Sequence, residues 1–371
     1  MIGRLLIFLI VIILMLSLTQ YIAKHQKVEV AEVVKTEAPA NTNTLIMPGE
    51  KHFKNIYQIS FGGDNAEAYW SFNNKMISYQ HRNKSEGEDC DQIYYGVVPN
   101  ENGDINRTMV SNGKGRTTCA YFMPGDTTIL YASTFLTVDS CIEDPDRSKG
   151  YLWGVYHSYE IFVADLKGNV VKQLTNNKFY DAEATVSPKG DKIVFTSDRS
   201  GDLELYTMNI DGSNVKQITN TLGYDGGAFF SPDGSKIVFR ASRPQTNSAQ
   251  MQYKELLKQE FVKPNEMELF VCNVDGSDLK QITSLGGANW APFFHPSGNK
   301  IIFSSNHVTQ RMPFNLFMIN LDGSGMEQIS FDTVFDSFPM FSSDGKRIIF
   351  SSNRNNHGTR DTNLFVAEWE E

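Results

Sequence analysis

The feature that most constrains this chain is a motif that returns four times in its second half. TVSP at 185–188, FFSP at 229–232, FFHP at 293–296 and MFSS at 340–343 each lead into a Gly turn. A KIVF-type run follows, ending at Phe195, Phe239, Phe303 and Phe350. Next comes a third apolar stretch: ELYTMNI, ELFVCNV, NLFMINL and NLFVAEW. Three copies then show an Asp-Gly turn at Asp211, Asp275 and Asp322 and close with VKQIT, LKQIT or MEQIS. The step is 44 residues from Thr175 to Thr219, 64 to Thr283 and 47 to Ser330. Each unit therefore reads as four short strands separated by turn residues. One four-stranded sheet cannot bury both of its faces alone, whereas sheets stacked radially can.

Two weaker copies lie upstream, at 68–80 with 93–98 and at 120–133 with 160–175, which makes six units. The last unit supplies three strands only. An orphan strand at 55–61, NIYQISF, matches the VKQIT position and is expected to pair with the last unit, closing the ring without a free sheet edge. The expected fold is all-β: a six-bladed β-propeller of four-stranded antiparallel blades over 52–371, preceded by one N-terminal hydrophobic helix.

Arg4 precedes an apolar run at 5–16, extended by Leu18. That is the plan of an export signal. Residues 1–25 read as a signal peptide or an uncleaved signal anchor, and 26–51 as a flexible tether. No Cys follows the run, so a lipoprotein site is not expected. Either reading places the body in the periplasm, or on the outer face of the cytoplasmic membrane of a bacterium, with the N-terminal segment as the membrane contact. Net charge is −9 and the pI about 5.4, which argues against nucleic acid as a partner. There is no GxSxG elbow, no phosphate loop and no CxxC pair.

The run FSPDGSKIVF, then ELY or LFV, NxDGS and KQIT, resembles the WD-type propeller repeats of the TolB family. The resemblance covers roughly 53–371. It implies a periplasmic propeller that binds another envelope protein. The family's separate domain before the propeller has no counterpart in the sequence, so a Tol-complex role does not follow.

Aligning the units places two rings of side chains on one face. Asn65, Thr117, Asp181, Asp225, Asn289 and Asp336 begin the first strands. Two residues on, strand alternation puts Glu67, Cys119, Glu183, Gly227, Ala291 and Phe338 on the same side. Glu67, Asp181, Glu183, Asp225 and Asp336 are thus expected to make an acidic channel mouth. A second ring reads Arg82, Phe135, Arg199, Arg243, His307 and Arg354. Carboxylates and guanidiniums that recur this way are expected to pair, tying each blade to its neighbour. A calcium ion in the channel and a ligand site are the other readings of the carboxylates; no cofactor is required.

Two insertions follow second strands, at 134–158 and 244–264. The first holds Trp153, Tyr156 and His157. In the second, Tyr253, Leu257 and Phe261 recur every four residues, predicting an amphipathic helix. Both rise from the face of the charged rings, where loops on a rigid scaffold often bind. The expected site combines Trp153, Tyr156, His157, Tyr253, Arg199, Arg243, His307 and Arg354. Cys90 and Cys141 are disulfide candidates, with Cys119 as competitor for either. The leading expectation is a non-catalytic, monomeric envelope propeller that docks a protein or peptide on the inserted-loop face. The alternative is a metal-dependent lyase or hydrolase acting on saccharide, with His157 or His307 at the metal.

Overall fold

The computed structural model describes residues 45–371, apart from 147 and 149. The apolar run and residues 26–44 of the expected tether lie outside them. Among the described residues no helix is long and apolar enough to cross a membrane.

The first strand, β1 (Phe53–Gln58), belongs to the last blade. Blade 1 is β2 (Asp64–Trp70), β3 (Met76–Arg82), β4 (Gln92–Val97) and β5 (Arg107–Met109). Blade 2 is β6 (Thr117–Phe122) and β7 (Thr128–Ser133), then, beyond the short β8 (Trp153–Gly154), β9 (Glu160–Asp165) and β10 (Val170–Gln173). Blade 3 is β11 (Asp181–Val186), β12 (Lys192–Ser197), β13 (Glu204–Asn209) and β14 (Lys216–Gln217). Blade 4 has β15 (Asp225–Phe230) and β16 (Lys236–Ser242), then α1 (Asn247–Lys258) and β17 (Phe261–Val262), and ends with β18 (Met267–Asn273) and β19 (Lys280–Gln281). Blade 5 is β20 (Asn289–Phe294), β21 (Lys300–Ser305), β22 (Asn315–Asn320) and β23 (Glu327–Gln328), and blade 6 is β24 (Asp336–Phe341), β25 (Arg347–Ser352) and β26 (Asn363–Trp369). Six four-stranded antiparallel sheets result.

The repeat motif explains the blade. The second strands β12, β21 and β25 are buried at every residue after the first, because blades press on both faces. The hydroxyl of each closing Thr or Ser accepts a hydrogen bond from the third strand: Thr175 from Ile161 N, Thr219 from Leu205 N, Thr283 from Leu269 N and Ser330 from Leu316 N, all at 2.8–2.9 Å. The preceding Gln folds back onto the same residue's carbonyl, as Gln217 does on Thr219 at 2.8 Å. Asp-Gly turns join the third and fourth strands. Gly276 sits at φ 87°, and a Cβ there would come 2.3 Å from the carbonyl oxygen of Ile218.

The ring closes as expected. β1 pairs antiparallel with β26, from Phe53 opposite Trp369 to Gln58 opposite Phe365. Ser60 accepts from Leu364 N at 2.8 Å, and Gln58 Nε2 donates to Ser60 O at 2.8 Å. These are the same contacts the KQIT segments make in the other blades.

The tether expected over 26–51 does not extend to its stated end. Leu45 and Glu50 are buried against the propeller. Arg354 donates to Leu45 O at 2.9 Å and to both Glu50 oxygens at 3.0 and 3.2 Å, and Phe331 N donates to Glu50 at 3.0 Å. An acid with that many donors is a fixed anchor, so residues 45–51 are part of the folded body.

Candidate functional site

All six inner strands carry the same irregularity. The ladder shifts register between Ala66/Tyr69, Thr118/Tyr121, Ala182/Thr185, Gly226/Phe229, Trp290/Phe293 and Ser337/Met340. Inside each bulge one residue takes a left-handed backbone: Glu67, Cys119, Glu183, Gly227, Ala291 and Phe338, with φ between 46° and 58°. A bulge interrupts the two-residue alternation and re-aims the side chain. These six residues all line one cavity of about 450 Å³ at the end of the channel.

This corrects the expected acidic mouth. Asn65, Thr117, Asp181, Asp225, Asn289 and Asp336 lie two residues before the bulge position and do not share its direction. Of these six only Thr117 lines the cavity. Asp181, Asp225 and Asp336 are fully buried and turned into their blades. Glu67 and Glu183 alone, of the five expected carboxylates, reach the channel. Among the described residues no group of three His, Cys, Asp or Glu side chains is placed to hold a metal ion.

The expected blade-to-blade pairing also changes. Asp181 takes Arg199 at 2.7 Å, Asp336 takes Arg354 at 2.9 Å, and Asp225 takes Arg243 through two contacts. Each Arg lies 18 residues after its Asp, within the same blade. His307 Nδ1 contacts its own blade's Ser305 Oγ at 2.8 Å, and Phe135 packs on Phe162. Arg199, Arg243, His307 and Arg354 therefore fix the ends of strands and are not among the cavity residues.

The insertions are joined to each other. β8 of the first pairs antiparallel with β17 of the second, Phe261 opposite Gly154 and Val262 opposite Trp153. The helix α1 is capped by Thr246, whose Oγ1 accepts from Ala249 N at 3.1 Å, and ends before Phe261, which sits on β17 instead. Tyr253, Leu257 and Phe261 pack against a core that includes Tyr156, Tyr180, Tyr224 and Trp290. The Tyr253 hydroxyl donates to Asp202. His157 contacts Asp198 at 2.7 Å and Glu260 at 3.1 Å. Of the expected binding residues, Trp153 lines the cavity; Tyr156, His157 and Tyr253 hold the roof above it. The first insertion is fastened to blade 1 by a Cys90–Cys141 disulfide, which leaves Cys119 free. Its Asp144 is gripped by Arg116 and, at 3.0 Å, by Arg82.

Beneath this roof one ion pair crosses from blade 3 to blade 4. Arg240 binds Glu183, whose oxygens also accept from Thr196 at 2.7 Å, Tyr224 at 2.6 Å and Gly227 N at 3.0 Å. Burial alone would raise the Glu183 carboxyl, but Arg240 and these donors outweigh it and hold it below the usual range. The Arg240 guanidinium lies 5.0 Å from the Trp153 ring and 5.1 Å from Tyr224. Gly227 makes this fit: a Cβ there would come 1.7 Å from an Arg240 nitrogen. Arg240 was not among the expected residues. Its signal is readable, since KIVF is followed by Thr196, Ser304 and Ser351 in other blades but by Arg in blade 4, where Gly226-Gly227 leaves room.

Glu67 behaves differently. Burial, and after it the Glu183 charge, push its carboxyl up to about 7, against a hydrogen bond with Cys119 that lowers it. Burial and the two acids push the Cys119 thiol up as well, so it stands protonated at neutral pH. The cavity thus sets the Glu67 carboxyl beside a wall of Tyr151, Trp153 and Trp290.

Residues 156–262 match the family model described as the TolB beta propeller domain. The chain is a six-bladed β-propeller whose repeats match a TolB-type domain over that stretch. A protein assigned as TolB from Agrobacterium tumefaciens is similar in structure, with a TM-score of 0.53, 18% identity, 85% of this chain covered and 97% of that one. TolB from Acinetobacter baumannii gives a TM-score of 0.54 at 17% identity, over 80% of this chain and 64% of that chain. An oligogalacturonate lyase in complex with manganese gives 0.51 at 14% identity, over 83% and 78%. At these identities the β-propeller fold is what is shared. No curated protein matches the sequence.

Proposed function

We propose that this propeller is a non-catalytic binding protein that takes a peptide segment of a partner into the roofed cavity. One observation carries the reading: the first insertion walls a single cavity together with the six bulge residues, and the second insertion backs it through the β8–β17 ribbon. Roofing a channel with a disulfide-fastened segment builds a defined recess, with aromatic rings for contact and polar groups for orientation. The sequence supports placing it in the envelope as a monomer, in the periplasm or held at the outer face of the cytoplasmic membrane. The saccharide lyase or hydrolase reading rests on likeness of fold alone.

The insertions contribute to the core, so deleting them is not a clean test. A photo-crosslinking residue in place of Tyr151, which is half exposed, should instead capture the partner in cells that make the protein. Ala291→Phe should fill the cavity, since Phe338 already occupies the equivalent bulge. The reading expects a peptide adduct that disappears with Ala291→Phe while the unfolding temperature is kept. An adduct unaffected by the filled cavity would overturn it, and a saccharide adduct would replace it with the enzyme reading.

A further inference from the structure

We infer that the residue seated deepest in the cavity carries a cationic head, a lysine or arginine side chain, received by Glu67. This rests on the peptide reading above and names the chemistry that selects the peptide.

The cavity's other charges are already matched. Glu183 holds Arg240; Asp144 holds Arg82 and Arg116; Asp64 holds Arg82 at 2.8 Å; and Asp91 lies 4.0 Å from Arg116. Five carboxylates and three guanidiniums line the space. Once these pairs are drawn, Glu67 is left with no cationic side chain within ion-pair distance among the described residues. Its contacts are the Tyr69 hydroxyl at 3.4 Å and the Cys119 thiol. Phe338 and Cys119, its neighbours around the ring of bulges, carry no charge.

An ionised carboxylate buried without a partner is costly, and the group answers by keeping its proton. Glu67, half-buried in the cavity wall, approaches that state, its carboxyl pushed up to about 7. A ligand cation reverses the balance: it pairs with the carboxylate, and the proton leaves to solvent. A neutral ligand donor gains only one ordinary hydrogen bond there. Trp290, Trp153 and Tyr151 add ring surface suited to an alkylammonium or guanidinium stem.

The groups facing Glu67 are Tyr69 on its own strand, Cys119 of β6, Glu183 of β11, Arg240 of β16 and Asp91 before β4. Arg240 and Glu183 stay charged across neutral pH, Cys119 and Tyr69 stay neutral, and Asp91, which burial raises, faces Arg82 and Arg116. Titration of Glu67 therefore dominates. Cationic peptides should bind about tenfold more tightly at pH 8 than at pH 6, the ratio of ionised Glu67 at the two values.

The full chain, immobilised, would be offered a random pentapeptide library at pH 8. Selected peptides should be enriched in Lys or Arg at one position, and Glu67→Gln should lose that enrichment. A selected peptide titrated by tryptophan fluorescence should show the pH dependence in the native chain and a flat profile in Glu67→Gln. Failure to select any peptide would overturn the peptide reading itself. Selection without cation enrichment, or enrichment that survives Glu67→Gln, would overturn this inference alone. A flat pH profile in the native chain would do the same.

Discussion

Glu183 and Arg240 bind each other across the boundary between blades 3 and 4, under the ring of Trp153. The pair is buried and shares its environment with Tyr224, Thr196 and the Gly227 amide. Removing one partner strands the other, so Glu183→Gln and Arg240→Met should each cost about 3–5 kcal/mol. The double variant should cost less than the sum, because it strands neither charge. Urea unfolding of the four proteins measures both statements.

Glu50 gives a second case. It reaches Arg354 from 304 residues away, and both side chains are without solvent exposure. Glu50→Ala should destabilise the propeller by about 3 kcal/mol, with Arg354 keeping Asp336 as its near partner. If residues 45–51 were a passive linker, denaturant midpoints would not move.

The Cys90–Cys141 bridge spans 51 residues of sequence. Replacing both with Ser should lower stability by about 2–4 kcal/mol. Asp144 still holds Arg82 and Arg116, which favours the lower end. Limited proteolysis should then cut first within 134–152. A cleavage pattern unchanged by the substitution would show that the bridge does not fasten the roof.

Glu67 predicts a pH signature in stability. Its folded carboxyl, at about 7, sits above its ordinary value of 4.5. Between these values the folded state binds more protons than the unfolded one, so stability falls as pH rises through that window. The loss is complete above pH 7 and amounts to about 3 kcal/mol at most. Glu67→Gln should match the native chain near pH 4 and exceed it at pH 8. Parallel stability curves across pH would contradict the assignment.

The blades were legible because the repeat carries its own contacts. KQIT spells a strand, a Gln that folds back and a hydroxyl that accepts from the third strand of the same blade. Gln58 and Ser60 kept that spelling in NIYQISF, which is why the closing strand could be placed. The cavity was half legible. Its ring positions could be aligned, but alternation was carried through a bulge that no single strand announces, and Asp181, Asp225 and Asp336 were aimed wrongly as a result. Arg240 was hidden because its role depends on Glu183 in another blade and on the missing side chain of Gly227. The end of the tether was misplaced because Glu50 looks like any linker acid until Arg354 is brought beside it.

The six bulges have a consequence for change over evolutionary time. The left-handed residue in each inner strand forms no rung of its ladder. Replacing it alters what the channel presents while the paired rungs on either side remain. Around the axis those positions spell Glu, Cys, Glu, Gly, Ala, Phe. Glu183 and Gly227 are tied to Arg240, but the other four letters can be rewritten for a new occupant one at a time, without first relearning how to fold.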